Sequence, residues 1–256
     1  MSQHTKQSFP LIVGHRGAAG HAPENTLVSL SYAKQLGATW VEFDTMMLKD
    51  EEIILMHDVT LTRTTGKKEF VRDCGYEEVE LLDAGRWFAK AFKGEKIPTF
   101  SQYLKALTHL EMNYIVELKN NGSPGHVFVD RVLSLVTPYW DPKRSHPIFF
   151  SEEPSFLKQV RNTLPGAKLG QVMHHWNEGV YSQFLKDDFS IACVNHKEFP
   201  RERVKELNEL KKEIAVYTVN DPLLFWDWGH EPIHYLITDY PSLQPLLYKE
   251  RPYDNQ

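Results

Sequence analysis

Histidine, arginine and acidic side chains that could do chemistry are concentrated in the first 58 residues. They occur in the groups Gly14-His15-Arg16-Gly17, Pro23-Glu24-Asn25-Thr26, Glu42-Phe43-Asp44 and His57-Asp58. The apolar run 11–13 predicts a buried strand, so His15 and Arg16 stand directly at its end. Glu42 and Asp44 are two apart in a second predicted strand and therefore face the same side of it.

Two neighbouring carboxylates on a buried strand face repel each other and lose hydration, unless a cation or a proton lies between them. Glu117 and Lys119 repeat the two-residue spacing at the end of a later predicted strand. Glu42, Asp44 and Glu117 together suit a hard cation with oxygen ligands, Mg²⁺ or Ca²⁺, with Mn²⁺ also possible. With that cation, Arg16, Lys119 and a monoanionic phosphodiester, the site's charges sum to about zero, as a desolvated site requires.

Two histidines beside such a cation could act as general base and general acid near neutral pH. His15 follows the first predicted strand, and His57 ends the third extended run, 52–57. The residue types therefore indicate metal-assisted phosphoryl transfer. They do not indicate which histidine is the base and which the acid.

The elements that must position these residues form a regular series. From Leu11 onward we count eight strand–helix units, which predict a TIM (β/α)8 barrel with its active site at the carboxyl ends of the strands. Run 52–57 reads as a hairpin-like excursion from the second strand. Segment 58–97 is rich in turns and predicts a small inserted subdomain near the site. The predicted helices include one capped by Asn25 or Thr26 and one over 201–213.

Length and composition restrict the class of protein. The 256 residues fit one domain that spans 1–256, and the net charge of -5 argues against a nucleic-acid partner. Met1 to Pro10 has no apolar signal core and no later run suits a membrane span, so we expect a cytoplasmic protein. Cys74 and Cys193 form no C-x-x-C pair, which favours free thiols. The oligomeric state is not readable from the sequence.

The motifs, taken together, resemble the glycerophosphodiester phosphodiesterase family. The resemblance runs from Leu11 to Pro241 and rests on His15-Arg16-Gly17-Ala18, Pro23-Glu24-Asn25-Thr26, Glu42-Phe43-Asp44, His57-Asp58, Leu61-Thr62-Arg63-Thr64-Thr65, Leu82-Asp83-Ala84-Gly85, Ile97-Pro98-Thr99-Phe100, Glu117-Leu118-Lys119 and Tyr217-Thr218-Val219-Asn220. It implies a TIM barrel with an insertion after the second strand, and hydrolysis of glycerophosphodiesters to sn-glycerol 3-phosphate and an alcohol.

The resemblance also implies a role for individual residues. His15 and His57 would be the acid–base pair, Glu42, Asp44 and Glu117 the metal ligands, and Arg16 and Lys119 the phosphate contacts. We then expect a cyclic phosphate intermediate, because the C2 hydroxyl of the glycerol can attack the phosphorus. Two positions depart from the family pattern: Tyr217 stands where tryptophan is common, and Thr62 where aspartate is common. Tyr217 would then help to shape the substrate pocket, and its hydroxyl needs a partner or water.

Three other functions compete with this hypothesis. A Schiff-base aldolase could use Lys119, because TIM barrels often carry a reactive lysine at a strand end, but it leaves the three carboxylates without a role. A phospholipase D-like enzyme acting on lysolipids would need an apolar approach to the site. A non-catalytic sensor of glycerophosphodiesters would not need a paired acid and base.

Overall fold

The structure is a computed structural model that describes residues 9–139 and 147–249. Most of the polar segment from Met1 to Pro10, on which the expectation of a cytoplasmic protein rests, lies outside the described residues. Both cysteines, Cys74 and Cys193, are buried and unpaired, which confirms the prediction of free thiols.

Eight parallel strands close into a barrel. With one further strand, β3, the strands of the described residues are β1 (Leu11–Gly14), β2 (Trp40–Met47), β3 (Ile53–Leu55), β4 (Asn113–Leu118), β5 (Ile148–Ser151), β6 (Lys168–Met173), β7 (Ile191–Asn195), β8 (Glu213–Tyr217) and β9 (Tyr235–Thr238). Seven of the eight follow one another from β4 through β9 to β1, and β2 closes the ring by pairing with both β1 and β4. Among the strands of the described residues, β3 alone is antiparallel, and it pairs with the end of β2. The predicted TIM barrel is confirmed.

Most of the helices follow barrel strands and lie on the outside of the barrel, whereas the two helices of four residues belong to the insertion after β2. They are α1 (Leu27–Gln35), α2 (Thr62–Thr65), α3 (Tyr76–Val79), α4 (Phe100–His109), α5 (Gly125–Val136), α6 (Pro154–Thr163), α7 (Glu178–Asp187), α8 (Arg203–Glu209) and α9 (Pro222–Gly229). The last element, Pro241–Tyr248, is a 3₁₀ helix. Thr26 caps α1, since its hydroxyl accepts a bond from the Ser29 N–H. Among the described residues, we find no helix that combines the length and the apolar character needed to cross a bilayer.

Side chains of β2 alternate between two layers of the core. Trp40 packs with the apolar residues that fill the barrel, and Glu42 and Asp44 have the same parity, so they point inward. Phe43 points outward and packs against the rings of Tyr103 and Tyr114, at centroid distances of 4.7 and 5.9 Å. Every residue of β2 is buried, as expected for a parallel strand covered on both sides.

The insertion begins with the hairpin of β2 and β3, as the run 52–57 predicts. It continues through α2, α3 and two short 3₁₀ turns, Val71–Asp73 and Lys90–Phe92. It has a small apolar core of its own, built from Met46, Leu48, Ile54, Met56, Leu61, Val71, Cys74, Val79, Ala84 and Ile97. This core attaches the insertion to the carboxyl end of β2, beside the predicted site.

One predicted helix ends earlier than expected. The helix predicted over residues 201–213 is too long, because the observed helix, α8, ends at Glu209 and Glu213 is the first residue of β8. Lys211 adopts a left-handed conformation, with φ of 57°, which stops the helix. The Glu213 carboxylate then binds Lys168 Nζ at 2.5 Å and accepts a bond from the Tyr235 hydroxyl at 2.8 Å.

Replacing Phe43 by alanine is expected to destabilise the protein by about 3–5 kcal/mol, because the side chain is fully buried and its removal leaves a cavity. Urea unfolding of Phe43→Ala would measure this. Leu81→Ala is the control, since Leu81 is 75% exposed and its loss should change the free energy of unfolding by less than about 0.5 kcal/mol. Equal stability of both variants would contradict the assignment of Phe43 to the layer between strands and helices.

Candidate active site

A cavity of about 210 Å³ opens at the carboxyl end of the barrel strands. Seven of the eight predicted site residues line it. Those that line the cavity are His15, Arg16, Glu42, His57, Glu117, Lys119 and Tyr217. The eighth, Asp44, is buried behind them and contacts Arg16. The structure therefore brings the whole predicted set together at one place.

The cavity lining also has an apolar part. It consists of Phe150, Val172, Cys193 and Ile237, which come from β5, β6, β7 and β9, and the polar residues Glu152, His174 and Thr218 complete the lining. Burial raises the pKa of the Cys193 thiol well above its usual range, so the thiol is protonated and inert near neutral pH. A small ligand in this cavity would place its charged part against the acidic and basic side chains and its carbon skeleton against the apolar ones.

His15 is oriented by a carboxylate. Its Nδ1 donates to Asp239 Oδ1 at 2.6 Å, and Asn220 Nδ2 donates to the second oxygen of Asp239, also at 2.6 Å. Asp239 and Asn220 follow β9 and β8, so neighbouring strand ends supply the support. Because Nδ1 is engaged, Nε2 is the ring atom left to the cavity, and it lies 3.9 Å from Glu42 Oε2.

The turn around Arg16 depends on two glycines. A Cβ on Gly14 would lie 2.0 Å from the Gly17 carbonyl oxygen, and Gly17 itself has a φ of 91° with Ser29 packed against it. The turn directs the Arg16 guanidinium towards two acids: Nη1 donates to Glu24 Oε1 at 2.8 Å, and Nε lies 3.2 Å from Asp44 Oδ2.

Glu42, Asp44 and Glu117 form the acidic cluster that the sequence predicts. Each offers one carboxylate oxygen, and these oxygens lie within 4.8 Å of one another. Asn25 fixes Asp44, since its Nδ2 donates to Asp44 Oδ2 at 2.9 Å and its Oδ1 accepts from the Asp44 N–H. The acids themselves come from β2 and β4, and Asn25 comes from the segment before α1.

The cluster fits a divalent cation. Glu42 Oε1 is buried and has no hydrogen-bond partner within the described residues. Burial, followed by repulsion from Asp44 and Glu117, raises the pKa of Glu42 well above its usual range. A cation that prefers oxygen ligands would bind this unpartnered oxygen and offset the repulsion between the carboxylates. Glu42, Asp44 and Glu117 therefore fit the divalent cation that the sequence predicts.

A second group of possible ligands lies in the insertion, at Glu69, Cys74 and Glu78. There a lysine already neutralises the carboxylates, because Lys67 Nζ lies 3.0 Å from Glu69 Oε2 and 2.7 Å from Glu78 Oε2. The Cys74 thiol also donates to Glu69. We therefore do not assign a metal to this group.

Lys119 follows β4, and its Nζ donates to Glu117 Oε1 at 2.9 Å. Burial by itself would lower the pKa of Lys119, but Glu117 and Asp44 outweigh it and raise the pKa above the usual value. The side chain is therefore a fixed positive charge at the edge of the acidic cluster.

His57 reaches the cavity because the β2–β3 hairpin turns back towards the barrel. Its Nδ1 donates to Asp58 Oδ1 at 2.8 Å, which again leaves Nε2 as the free ring nitrogen. Each of the two histidines thus has a carboxylate on Nδ1, although one is provided by the barrel and the other by the insertion.

Tyr217, at the end of β8, has a partner for its hydroxyl. The oxygen lies 3.0 Å from His174 Nδ1, and the two rings are stacked with centroids 6.1 Å apart. His174 lines the cavity, whereas His175 points away and pairs with Glu198. Burial raises the pKa of Tyr217, so the phenol stays neutral. Thr62, the other departure from the family pattern, bonds only within its own turn, to the Lys67 carbonyl.

Sequence analysis did not identify the residues that hold the predicted site residues in place. Glu24, Asp58 and Arg63 occur in the sequence motifs, Asn25 is predicted there only as a possible helix cap, and Asp239 follows the last predicted strand, but none is predicted to act in the site. The signals that could have found them are an acid next to a histidine, at Asp58, and a strand-end aspartate, at Asp239.

Comparison with known proteins is consistent with this geometry. A family model described as the glycerophosphoryl diester phosphodiesterase family matches residues 15–243. A glycerophosphodiester phosphodiesterase of Bacillus subtilis is 28% identical over 251 residues, which cover 91% of this chain and 84% of the relative.

Solved structures give the same result. A phosphodiesterase from Oleispira antarctica, in complex with the product sn-glycerol-3-phosphate, is 25% identical with a TM-score of 0.88, over 94% of this chain and 98% of that one. A glycerophosphodiester phosphodiesterase from Agrobacterium tumefaciens is 26% identical with a TM-score of 0.76, over 91% and 98% of the two chains.

A TIM barrel with two histidines and an acidic cluster at its carboxyl end is a suitable scaffold for a phosphoric diester hydrolase. The family match covers most of the chain, and the chain belongs to the glycerophosphodiester phosphodiesterase family.

Glu42→Gln is expected to change how the stability of the metal-free protein depends on pH. Because the folded pKa of Glu42 lies above its ordinary value of 4.5, the folded state loses stability as the pH rises from about that value towards the folded pKa. Glutamine removes this loss. In EDTA, the variant's melting temperature should therefore rise relative to the wild-type value as the pH increases above about 4.5.

The exposed Glu77→Gln is the matched control and should follow the wild-type curve. A divalent cation should raise the melting temperature of the wild type more than that of Glu42→Gln, because a ligand that binds only the folded state stabilises it. If the melting temperatures of wild type and Glu42→Gln changed with pH in parallel, this would contradict the raised pKa of a buried, unpartnered Glu42 carboxylate.

Proposed function

We propose that this enzyme hydrolyses glycerophosphodiesters to sn-glycerol 3-phosphate and an alcohol, with a divalent cation at Glu42, Asp44 and Glu117 and with His15 and His57 as the acid–base pair. The observation that carries the proposal is the convergence of both histidines and the acidic cluster on one cavity. The product found in the Oleispira antarctica phosphodiesterase supports the choice of substrate.

The two histidines would move the protons. One imidazole takes the proton of the glycerol C2 hydroxyl, the hydroxyl oxygen forms a bond to phosphorus, and the bond from phosphorus to the alcohol oxygen breaks. The other imidazole gives its proton to that departing oxygen. A five-membered cyclic phosphate results, and water opens it with the two histidines in exchanged roles. The carboxylates at Nδ1, Asp239 and Asp58, support this by leaving each Nε2 free for the reaction.

Positive side chains would bind the phosphate. Arg16 and Lys119 both line the cavity and both are held protonated by neighbouring acids. Either can stabilise negative charge on the phosphate oxygens. Tyr217, which lines the cavity with its hydroxyl on His174, would contact the glycerol.

A cation bound by the three carboxylates would supply positive charge to the phosphate oxygens and lower the pKa of the glycerol hydroxyl. The all-oxygen ligand set favours Mg²⁺ or Ca²⁺, and also accommodates Mn²⁺. We propose further that residues 1–256 act as one catalytic domain, because the insertion provides His57 and the barrel provides the other residues.

The Schiff-base aldolase is disfavoured by the environment of Lys119. Its amine would have to be neutral to attack a carbonyl group, but Glu117 and Asp44 hold it protonated. Reduction with borohydride in the presence of an aldehyde or ketone substrate should therefore leave no adduct on Lys119.

The first test is release of glycerol 3-phosphate from glycerophosphocholine, in EDTA and after addition of Mg²⁺, Ca²⁺ or Mn²⁺. We expect activity to disappear with the chelator and to return with at least one cation, which identifies the ion. Activity that persists in EDTA would contradict the metal role of the three carboxylates. Activity on lysophosphatidylcholine alone would favour the phospholipase D-like alternative.

His15→Ala and His57→Ala should each lower kcat on glycerophosphocholine by about 10²- to 10⁴-fold. A glycerophosphodiester of 4-nitrophenol separates the two roles, because nitrophenolate leaves without being protonated. The variant that lacks the general acid should regain most of its activity in forming the cyclic phosphate from this substrate, and the variant that lacks the base should not. Losses below tenfold in both variants would contradict the pair.

A further inference from the structure

Arg63, on the short helix α2, lies between two carboxylates at the edge of the active site. Its Nη1 and Nη2 donate to the two oxygens of Glu24, at 2.7 and 2.8 Å. Its Nε and Nη2 donate to the two oxygens of Asp58, at 2.8 and 3.0 Å. One planar guanidinium thus binds both acids through pairs of hydrogen bonds, a geometry that fixes orientation as well as distance.

Each acid bound by Arg63 also holds a residue that lines the cavity. Glu24 Oε1 accepts a second bond from Arg16 Nη1 at 2.8 Å, and Asp58 Oδ1 accepts from His57 Nδ1 at 2.8 Å. A continuous chain of hydrogen bonds therefore runs from Arg16 through Glu24, Arg63 and Asp58 to His57. Its two ends are the phosphate contact and one of the acid–base pair.

Charges along this chain alternate and cancel. The bonds from Arg63, above all, lower the pKa of Asp58 to about 2, so Asp58 is a pure acceptor at neutral pH and fixes the proton of His57 on Nδ1. The side chain of Glu24 is only 10% exposed, and without Arg63 its charge would be balanced by Arg16 alone. Trp87 covers the guanidinium, with its ring 5.5 Å from the central carbon.

We propose that Arg63 is a positioning residue for the hydrolysis: through Asp58 it sets the orientation of the His57 ring, and through Glu24 it holds Arg16 against the phosphate site. The inference rests on the roles proposed above for His57 and Arg16. Arg63 itself does not line the cavity, so it acts on the reaction only through these two contacts.

Arg63→Met removes all four bonds and should lower kcat by about 10²-fold and raise KM for glycerophosphocholine, because both ends of the chain are released. Arg63→Lys keeps the charge but cannot bind two carboxylates in pairs. If positioning is the role, lysine should leave kcat at least about tenfold below wild type. A kcat of Arg63→Lys within threefold of the wild-type value would mean that only the positive charge at this position matters, and it would overturn the proposal.

Two isosteric variants separate the two ends of the chain. Asp58→Asn should act mainly on kcat, through the orientation of His57. Glu24→Gln should act mainly on KM and on the inhibition constant of glycerol 3-phosphate, through Arg16. Adding Asp58→Asn to Arg63→Met should cost less than a further threefold, since residues that act as one unit are not additive. If Arg63→Met does not fold, Asp58→Asn and Glu24→Gln test the same chain.

Lys67→Met is the matched control. Lys67 lies in the same insertion and loses two ion pairs on substitution, with Glu69 and Glu78, but it does not line the cavity. Its kcat and KM should stay within twofold of wild type, and melting temperatures should show that all variants are folded at the assay temperature. An equal loss of kcat in Lys67→Met and Arg63→Met would point to a general effect of the insertion and overturn the proposal.

The outcomes also separate this inference from the proposed function. Kinetic constants of Arg63→Met within threefold of wild type, beside an inactive His57→Ala, would overturn the role of Arg63 and leave the acid–base pair intact. A wild-type enzyme that hydrolyses no glycerophosphodiester under any added cation would overturn both.

Discussion

The concentration of buried carboxylates at the carboxyl end of the barrel is the constraint on which the rest of the site depends. Glu42 and Asp44 are almost fully buried, and Glu117 lies beside them on the next strand. Carboxylates so placed repel each other and have lost most of their water, so the fold must surround them with cations and donors. Arg16, Lys119 and Asn25 do this in part, and one oxygen of Glu42 is still unpartnered. The same deficit of positive charge makes the cavity a place for a divalent ion.

The sequence was sufficient to predict the barrel and the members of the acidic cluster, because both depend on local patterns. The end of a parallel strand and a spacing of two residues bring Glu42 and Asp44 to one face without any knowledge of distant contacts. The predicted length of α8 was wrong because it too rested on a local pattern. A run of charged residues reads as helix as far as Glu213, and only the pairing of Glu213 with Ile191 in the neighbouring strand makes it the start of β8.

The supporting contacts that join distant segments could not be predicted, whereas the contact between His57 and its neighbour Asp58 is local. Asp239 meets His15 across 224 residues, and Arg63 meets Glu24 across 39. The motifs that contain these residues show only that such side chains are present. The contact of His15 with Asp239 depends on how the last strand closes against the first, and that of Arg63 with Glu24 depends on how the insertion packs against the segment before α1. Both are properties of the three-dimensional packing.

The two histidines are held by different parts of the fold, and this gives the insertion a role that its position alone would not indicate. Asp239 and Asn220, which orient His15, are at the ends of barrel strands, so the closed barrel positions His15 by itself. His57 has no such support from the strands, since it follows a hairpin that leaves the barrel. Its orientation comes from Asp58, which is held by an arginine of the insertion. A barrel without the insertion would therefore present the acidic cluster and one oriented histidine, which is half of the acid–base pair proposed above.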